Sequence, residues 1–251
     1  MSKVVGIIPA RWGSTRFPGK ILADIAGKPL IQWVWERASQ ATALSAVIVA
    51  TDEQRIADVV AGFGGTAVMT RADHPSGTDR IAEAVRDLDA DAVINVQGDE
   101  PLIAPALIDE LAVVITGPDE WDMATAAARI TDPAEVEQPS VVKVVCAADG
   151  KALYFSRSPI PHWREKNGDG SGEPLYLRHI GIYAYRRTFL QQLVQTPPTM
   201  LEEAEKLEQL RALYLGARMK VLVTEHSALG VDEPGDVERA EQALKQAGLT
   251  Q

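Results

Sequence analysis

Cysteine occurs once in this chain of 251 residues, at Cys146, so no disulfide can close within it. Cys146 ends the apolar run Val141-Val142-Lys143-Val144-Val145, a setting for core packing in a reducing compartment. Long apolar runs are missing too, which excludes a bilayer span, and Met1-Ser2-Lys3-Val4 reads as no secretory signal. Positive charge is scarce: 25 Lys and Arg stand against 35 Asp and Glu, giving a net charge of -10 and a pI near 4.9. That balance excludes a general nucleic-acid or anionic-membrane surface. The expectation is a cytoplasmic protein with no membrane insertion and no nucleic-acid partner. The two common phosphate fingerprints are absent as well. Gly13 and Gly19 are separated by five residues where a Walker loop has four, Ile21 follows Lys20 where Ser or Thr is required, and no G-x-G-x-x-G occurs.

What is present begins with an apolar strand, Val4 to Ala10, and a loop, Arg11-Trp12-Gly13-Ser14-Thr15-Arg16-Phe17-Pro18-Gly19-Lys20. Arg11, Arg16 and Lys20 lie beside glycines that let backbone N–H groups approach an anion, and no acidic residue occurs before Asp24. A basic loop can simply be solvated, but its place after the first strand favours a polyanion cradle. Downstream, helical spacing over Pro29–Ala38 and Gln54–Ala61 alternates with strands at Val47–Thr51, Thr66–Thr70 and Ala92–Gln97. A further helix opens at Ser76-Gly77-Thr78 and runs to about Leu88. This order predicts an α/β, Rossmann-like, mainly parallel sheet with helices on both faces. Strands are also expected at Asp122–Arg129, Val141–Ala147 and Met219–Thr224, with helices at Leu201–Leu215 and Glu238–Gln246. The chain reads as a single domain, 1–251, with a smaller subdomain inserted over 153–187 whose Gly-rich tip, Asn167–Gly172, is mobile.

Asp99, just past Gly98 at the carboxyl end of a central strand, is placed where open α/β sheets bind ligands, and its hard oxygens suit Mg²⁺ on phosphates; a turn Asp stabilising its own backbone is the alternative. Glu100 reads as structural. Ser76 and Thr78 either cap a helix or leave N–H donors for a nucleotide. In the inserted segment Arg157, Arg164, Arg178, His179 and Tyr183 are types that bind a carboxylate and hydroxyls. In a strand, His179, Gly181 and Tyr183 share one face. Asp232 is a second metal-ligand candidate.

These motifs, from Ile8 to Lys20, Ser76-Gly77-Thr78-Asp79-Arg80, His179-Ile180-Gly181-Ile182-Tyr183, Leu207-Glu208-Gln209-Leu210-Arg211 and Gly230 to Asp236, resemble the sugar nucleotidyltransferase superfamily and, within it, the 3-deoxy-manno-octulosonate (Kdo) cytidylyltransferases. The resemblance implies the nucleotide-diphospho-sugar transferase fold and a reaction joining CTP to Kdo, giving CMP-Kdo and pyrophosphate for lipopolysaccharide synthesis in a Gram-negative bacterium. It implies that Arg11, Ser14 and Lys20 hold the triphosphate. Ala10, Ser76, Gly77, Thr78, Arg80 and Gln97 would surround the cytidine. Arg16 would serve the phosphates or the sugar carboxylate, while Arg157, Arg164, His179, Tyr183, Glu208 and Gln209 face the sugar and Asp99 and Asp232 hold Mg²⁺. Arg11, Lys20, Asp99 and Asp232 are then the catalytic set. The family usually has Thr where this chain has Glu233, and an acidic residue near Gly235; Asp232 itself is kept. A homodimer is implied, through 153–187 with Trp163 as anchor. A sialic acid cytidylyltransferase is the rival in the same class, and a catalytically silent nucleotide sensor is the rival outside it.

Overall fold

The structure, a computed structural model, describes residues 2–13, 16–164, 175–226 and 229–250. Ser14 and the expected tip at 167–172 lie outside the described residues. The strands and helices, in chain order, are β1 (Val4–Ala10), β2 (Asp24–Ile25), β3 (Lys28–Pro29), α1 (Leu30–Ala38), β4 (Ala46–Thr51), α2 (Gln54–Gly62), β5 (Thr66–Met69), α3 (Gly77–Ala84), β6 (Ala92–Asn95), α4 (Pro105–Thr116) and β7 (Met123–Arg129). There follow α5 (Pro133–Val136), β8 (Lys143–Cys146), β9 (Ala152–Ser156), β10 (Leu177–Arg186), α6 (Arg187–Gln195), α7 (Met200–Glu205), α8 (Gln209–Tyr214), β11 (Met219–Val223) and α9 (Asp236–Gln246). The helix α4 is an addition to the elements expected above.

A nine-stranded sheet runs in the order β11-β7-β10-β6-β1-β4-β5, with β8 and β9 attached through β10. The pairs β1–β4, β1–β6, β4–β5 and β11–β7 are parallel. Alternation along β1 explains why it lies at the centre: Val4, Ile8 and Ala10 enter one buried cluster with α1, α2, α4 and α9, while Val5 and Ile7 enter the other with α3, α6 and α8. The two-sided burial shows as a nearly unbroken apolar sequence. Gly6 faces the first cluster, where an added Cβ would stand 2.8 Å from Leu44 Cδ1.

The strand that departs from the parallel pattern is β10, antiparallel to both β6 and β7. Its C-terminal half, Tyr183–Arg186, lies between β6 and β7; its N-terminal end has left β6 and pairs with β8 instead. Between Ile180 and Tyr183 the register shifts, and Thr125 Oγ1 lies 2.7 Å from Ile182 O and 3.2 Å from Ile180 O at the irregularity. Two parts of the stretch 153–187, read above as an inserted subdomain, are therefore strands of the central sheet, β9 and β10.

The expected helix Leu201–Leu215 is two helices. Lys206 takes a left-handed conformation with φ 53° and ends α7, and α8 begins at Gln209. The break has a cause in packing. Arg211 Nε and Nη2 grip Glu202 at 2.8 and 2.5 Å, whereas nine residues of continuous helix would set them about 13 Å apart along the axis. The same break turns Glu208 and Gln209 towards the carboxyl edge of the sheet.

Candidate active site

Two adjoining hollows open at the carboxyl ends of β1 and β6. The larger, about 360 Å³, takes Ala10, Arg11, Arg16 and Lys20 from the first loop, Ser76, Gly77 and Arg80 from the start of α3, and Gln97, Gly98, Asp99 and Asp232. The smaller, about 200 Å³, is lined by Thr78, Asn95, Tyr183, Tyr185, Glu208 and Gln209, among others, and shares Pro9, Gly77 and Gln97 with the first. Close backbone approach builds the shared edge: a Cβ on Gly98 would meet Pro9 O at 3.0 Å. The loop itself is closed by Gly19, with φ 70°, whose N–H donates to Trp12 O at 3.2 Å.

At one end of the larger hollow, Lys20 Nζ lies 2.6 Å from Asp99 Oδ2, 3.1 Å from Asp232 Oδ1 and 3.1 Å from Val231 O, and Arg16 Nη2 lies 3.2 Å from Asp232 Oδ1. Burial works to lower the Lys20 pKa, but the two carboxylates outweigh it and raise it. Asp232 is brought there by two backbone devices. Val231 N–H donates to Asp99 O at 2.9 Å, and the N–H groups of Asp232 and Glu233 donate to Asp236 Oδ2 at 2.8 and 2.9 Å. Among the described residues no group of three or more His, Cys, Asp or Glu side chains gathers to cage a metal. Two carboxylates converging beside a basic cleft fit the alternative donor set, in which Mg²⁺ keeps waters and substrate phosphates as its other ligands.

Arg80 is buried, its Nη1 donating to Thr70 Oγ1 at 2.6 Å and its Nη2 lying 3.1 Å from Asp52 Oδ1. Ser76 Oγ accepts from Asp79 N–H at 3.2 Å and donates to Asp79 Oδ2 at 2.6 Å, so Ser76 caps α3 and also faces the cleft. Glu100, next to Asp99, is buried with Oε2 unpartnered, and its pKa is raised to about 8 by burial and by the Asp99 charge.

Glu208 brings a carboxylate side chain to the smaller hollow, and Tyr183 there is held far above its ordinary pKa chiefly by burial. His179 stands behind Tyr183, with ring centroids 5.4 Å apart, edge-on to Phe155 at 5.0 Å and with Nε2 3.0 Å from Thr125 Oγ1. Burial lowers its pKa to about 3, from 6.5. An unfolded chain binds a proton there near pH 6.5 and the folded one does not, so stability intact above pH 6.5 is lost as pH falls towards 3. At pH 5 the loss is at most about 2 kcal/mol. His179→Gln should flatten this part of the stability curve in urea melts at pH 7 and pH 5; an equal loss in both proteins would refute the assignment.

The other sugar candidates stand apart from the hollows. Arg157 lines neither: its Nε donates to Glu205 O at 2.7 Å and its Nη1 to Pro139 O at 2.9 Å, which fastens it to the end of α7 just ahead of Glu208. Arg178 pairs with Glu135 at 3.3 Å, and Arg164 is exposed. Asn95 and Tyr185 line the smaller hollow without having been singled out from the sequence. Period-two alternation from Tyr183 is the signal that finds Tyr185.

A family model described as cytidylyltransferase matches residues 5–221. The chain is 51% identical over 250 residues to a 3-deoxy-manno-octulosonate cytidylyltransferase of Trichlorobacter lovleyi, covering 97% of this chain and 99% of that one. To the protein of the same name from Geobacter sulfurreducens it is 51% identical over 248 residues, covering 96% and 99%. A solved structure of CMP:2-keto-3-deoxy-manno-octonic acid synthetase complexed with CTP superposes with a TM-score of 0.92 at 45% identity, covering 98% of this chain and all of that one. A cytidylyltransferase from Leptospira borgpetersenii, 16% identical with a TM-score of 0.65, shares the fold.

Proposed function

The chain belongs to the cytidylyltransferase family, and from that footing we propose that it transfers the cytidylyl group of CTP to 3-deoxy-manno-octulosonate, releasing pyrophosphate. The observation that carries the reading is the junction of two unlike hollows. One is basic and ends in the pair Asp99 and Asp232; the other is lined by hydroxyls, amides and one carboxylate.

In this reading Arg11, Lys20 and the main chain of the first loop neutralise the triphosphate, and Ser14 belongs with them. Ala10, Ser76, Gly77, Thr78, Arg80 and Gln97 surround the cytidine. The sugar's hydroxyls enter the smaller hollow against Tyr183, Glu208 and Gln209, with His179 behind. Among the described residues no Lys or Arg lines that hollow, and Glu208 repels a second carboxylate, so the sugar's own carboxylate is left at the basic side, with Arg16. The anomeric hydroxyl is thereby held at the junction, next to the α-phosphate, and positioning and charge neutralisation carry the rate. Arg157 acts on the sugar hollow by fixing the chain before Glu208, and Arg164 is a weaker candidate.

Asp99 and Asp232 are the residues that would hold Mg²⁺, which when bound polarises phosphoryl oxygens and lowers the pKa of a nearby hydroxyl. The reading extends to a cytoplasmic step in lipopolysaccharide synthesis and to a homodimer through the 153–187 segment, where Trp163 is 43% exposed.

Pyrophosphate release from CTP and Mg²⁺ tests the proposal, with Kdo, with N-acetylneuraminate and with no sugar, each with and without excess EDTA. Metal-dependent release with Kdo alone is expected. Release only with the neuraminate would overturn the sugar, and CTP binding with no release from either would overturn the enzyme.

A further inference from the structure

Resting on the reading of the larger hollow as the nucleotide site, we propose that His74 selects the base: its Nδ1 accepts a hydrogen bond from the exocyclic amine of cytosine, and Glu83 is the positioning residue that keeps Nδ1 free of a proton. His74 lines the larger hollow two residues ahead of Ser76, beside the start of α3, and its side chain is 6% exposed. Its Nε2 pairs with Glu83 Oε2, a carboxylate within α3, and no hydrogen bond among the described residues reaches Nδ1.

The pairing fixes the chemistry of the ring. Glu83 Oε2 also accepts from Arg71 N–H at 3.3 Å, with Arg71 Nε 3.8 Å away. Burial works to raise the Glu83 pKa, but the bonds from His74 and Arg71 outweigh it and lower it. An ionised carboxylate only accepts, so the proton of a neutral imidazole sits on Nε2 and Nδ1 is left as an acceptor facing a ligand.

Cytosine carries an amine donor where uracil carries a carbonyl oxygen, while both bases carry an oxygen at C2. Arg80 and the main-chain N–H of Gly77 are donors; they serve the oxygen common to both bases and do not tell them apart. An acceptor on the same wall does, because it bonds the amine and repels the carbonyl. The lining of the hollow thus combines donors that hold a pyrimidine with one ring nitrogen that chooses between two.

Initial rates of pyrophosphate release with Kdo give kcat/KM for CTP and for UTP, and calorimetric titration in EDTA gives their affinities without turnover. The wild type should prefer CTP on both measures. In His74→Phe, which keeps a ring and loses the acceptor, that preference should fall about tenfold, the scale of one buried hydrogen bond, through weaker use of CTP. In Glu83→Gln the amide can accept or donate and no longer dictates the tautomer, so the preference should fall part of the way. A residue that only shapes the loop would weaken both nucleotides alike and leave the ratio where it was. A wild type that takes both nucleotides equally, or an unchanged ratio in either folded variant, would overturn the proposal. Should His74→Phe melt early, nitrogen-15 spectra of the wild-type imidazoles carry the test beside Glu83→Gln. At about pH 8 Nε2 of His74 should be protonated and Nδ1 bare, with the Nδ1 signal moved by CTP and not by UTP. A protonated Nδ1, or equal shifts with the two nucleotides, would likewise overturn it. Selective binding of CTP with no pyrophosphate released from any sugar acid would sink the functional reading and leave the base assignment standing.

Discussion

Asp99→Asn should lower turnover by a factor of at least about 10³ while leaving metal-free CTP binding equal to the wild type or tighter. The two halves of this result come from one cluster. Lys20 and Arg16 face Asp99 and Asp232, so their formal charges cancel in the parent protein. The amide leaves the cluster with one net positive charge and frees part of the Lys20 ammonium from its closest partner. A polyanion then meets a more positive site, which sustains its affinity without metal. What the amide cannot do is hold a divalent cation as a carboxylate does. Calorimetric titration of CTP in EDTA, set beside pyrophosphate release in Mg²⁺, separates these effects. If metal-free CTP binding collapses together with turnover, Asp99 is supporting the shape of the loop and the metal assignment is wrong.

The largest effect on stability is expected at Arg211. Its guanidinium holds both oxygens of Glu202, and its Nη1 donates to Thr196 O at 3.0 Å; the two side chains are 8% and 11% exposed. Glu202 in turn accepts from Thr199 N–H in a capping box. Arg211→Met would leave that carboxylate buried without its counter-charge. Breaking one side of such a pair costs about 3–5 kcal/mol, whereas replacing both sides by apolar groups is often close to neutral. Urea and thermal melts should show Arg211→Met losing that amount, with Tm lower by about 10 °C, and Glu202→Leu combined with Arg211→Met recovering most of it. A single variant within about 1 kcal/mol of the parent would show that the pair carries no such weight.

The parallel half of the sheet was legible because β1, β4 and β6 are buried on both faces and so appear as unbroken apolar runs between polar loops. Direction is another matter, since an apolar strand has the same pattern whichever way it points. Nothing in Leu177–Arg186 announces that β10 runs against its neighbours. The break at Lys206 was equally silent: a left-handed residue is signalled by glycine or asparagine, and here the tertiary grip of Arg211 on Glu202 imposes it on a lysine. In the site, the basic loop and Asp99 follow from local sequence. Their meeting with Asp232 depends on a backbone bond between residues 132 positions apart, Val231 and Asp99. Arg157 was chosen for its chemical type, but its partners, Glu205 O and Pro139 O, are main-chain atoms that no residue identity encodes.

The antiparallel strand also bears on how the molecule is made. A chain leaves the ribosome from its N-terminus, and β1, β4, β5 and β6 can assemble once the first hundred or so residues are out. The far side of β6 then stays an open edge, apolar on both faces, until β10 emerges about eighty residues later and pairs with it, bringing β7 alongside. Through that interval the nascent sheet presents the kind of unpaired strand that invites wrong partners. Asp232 arrives later still. The two carboxylates therefore meet only once the chain has been made through residue 232, and a fragment ending at residue 231 would keep most of the sheet but only one of them.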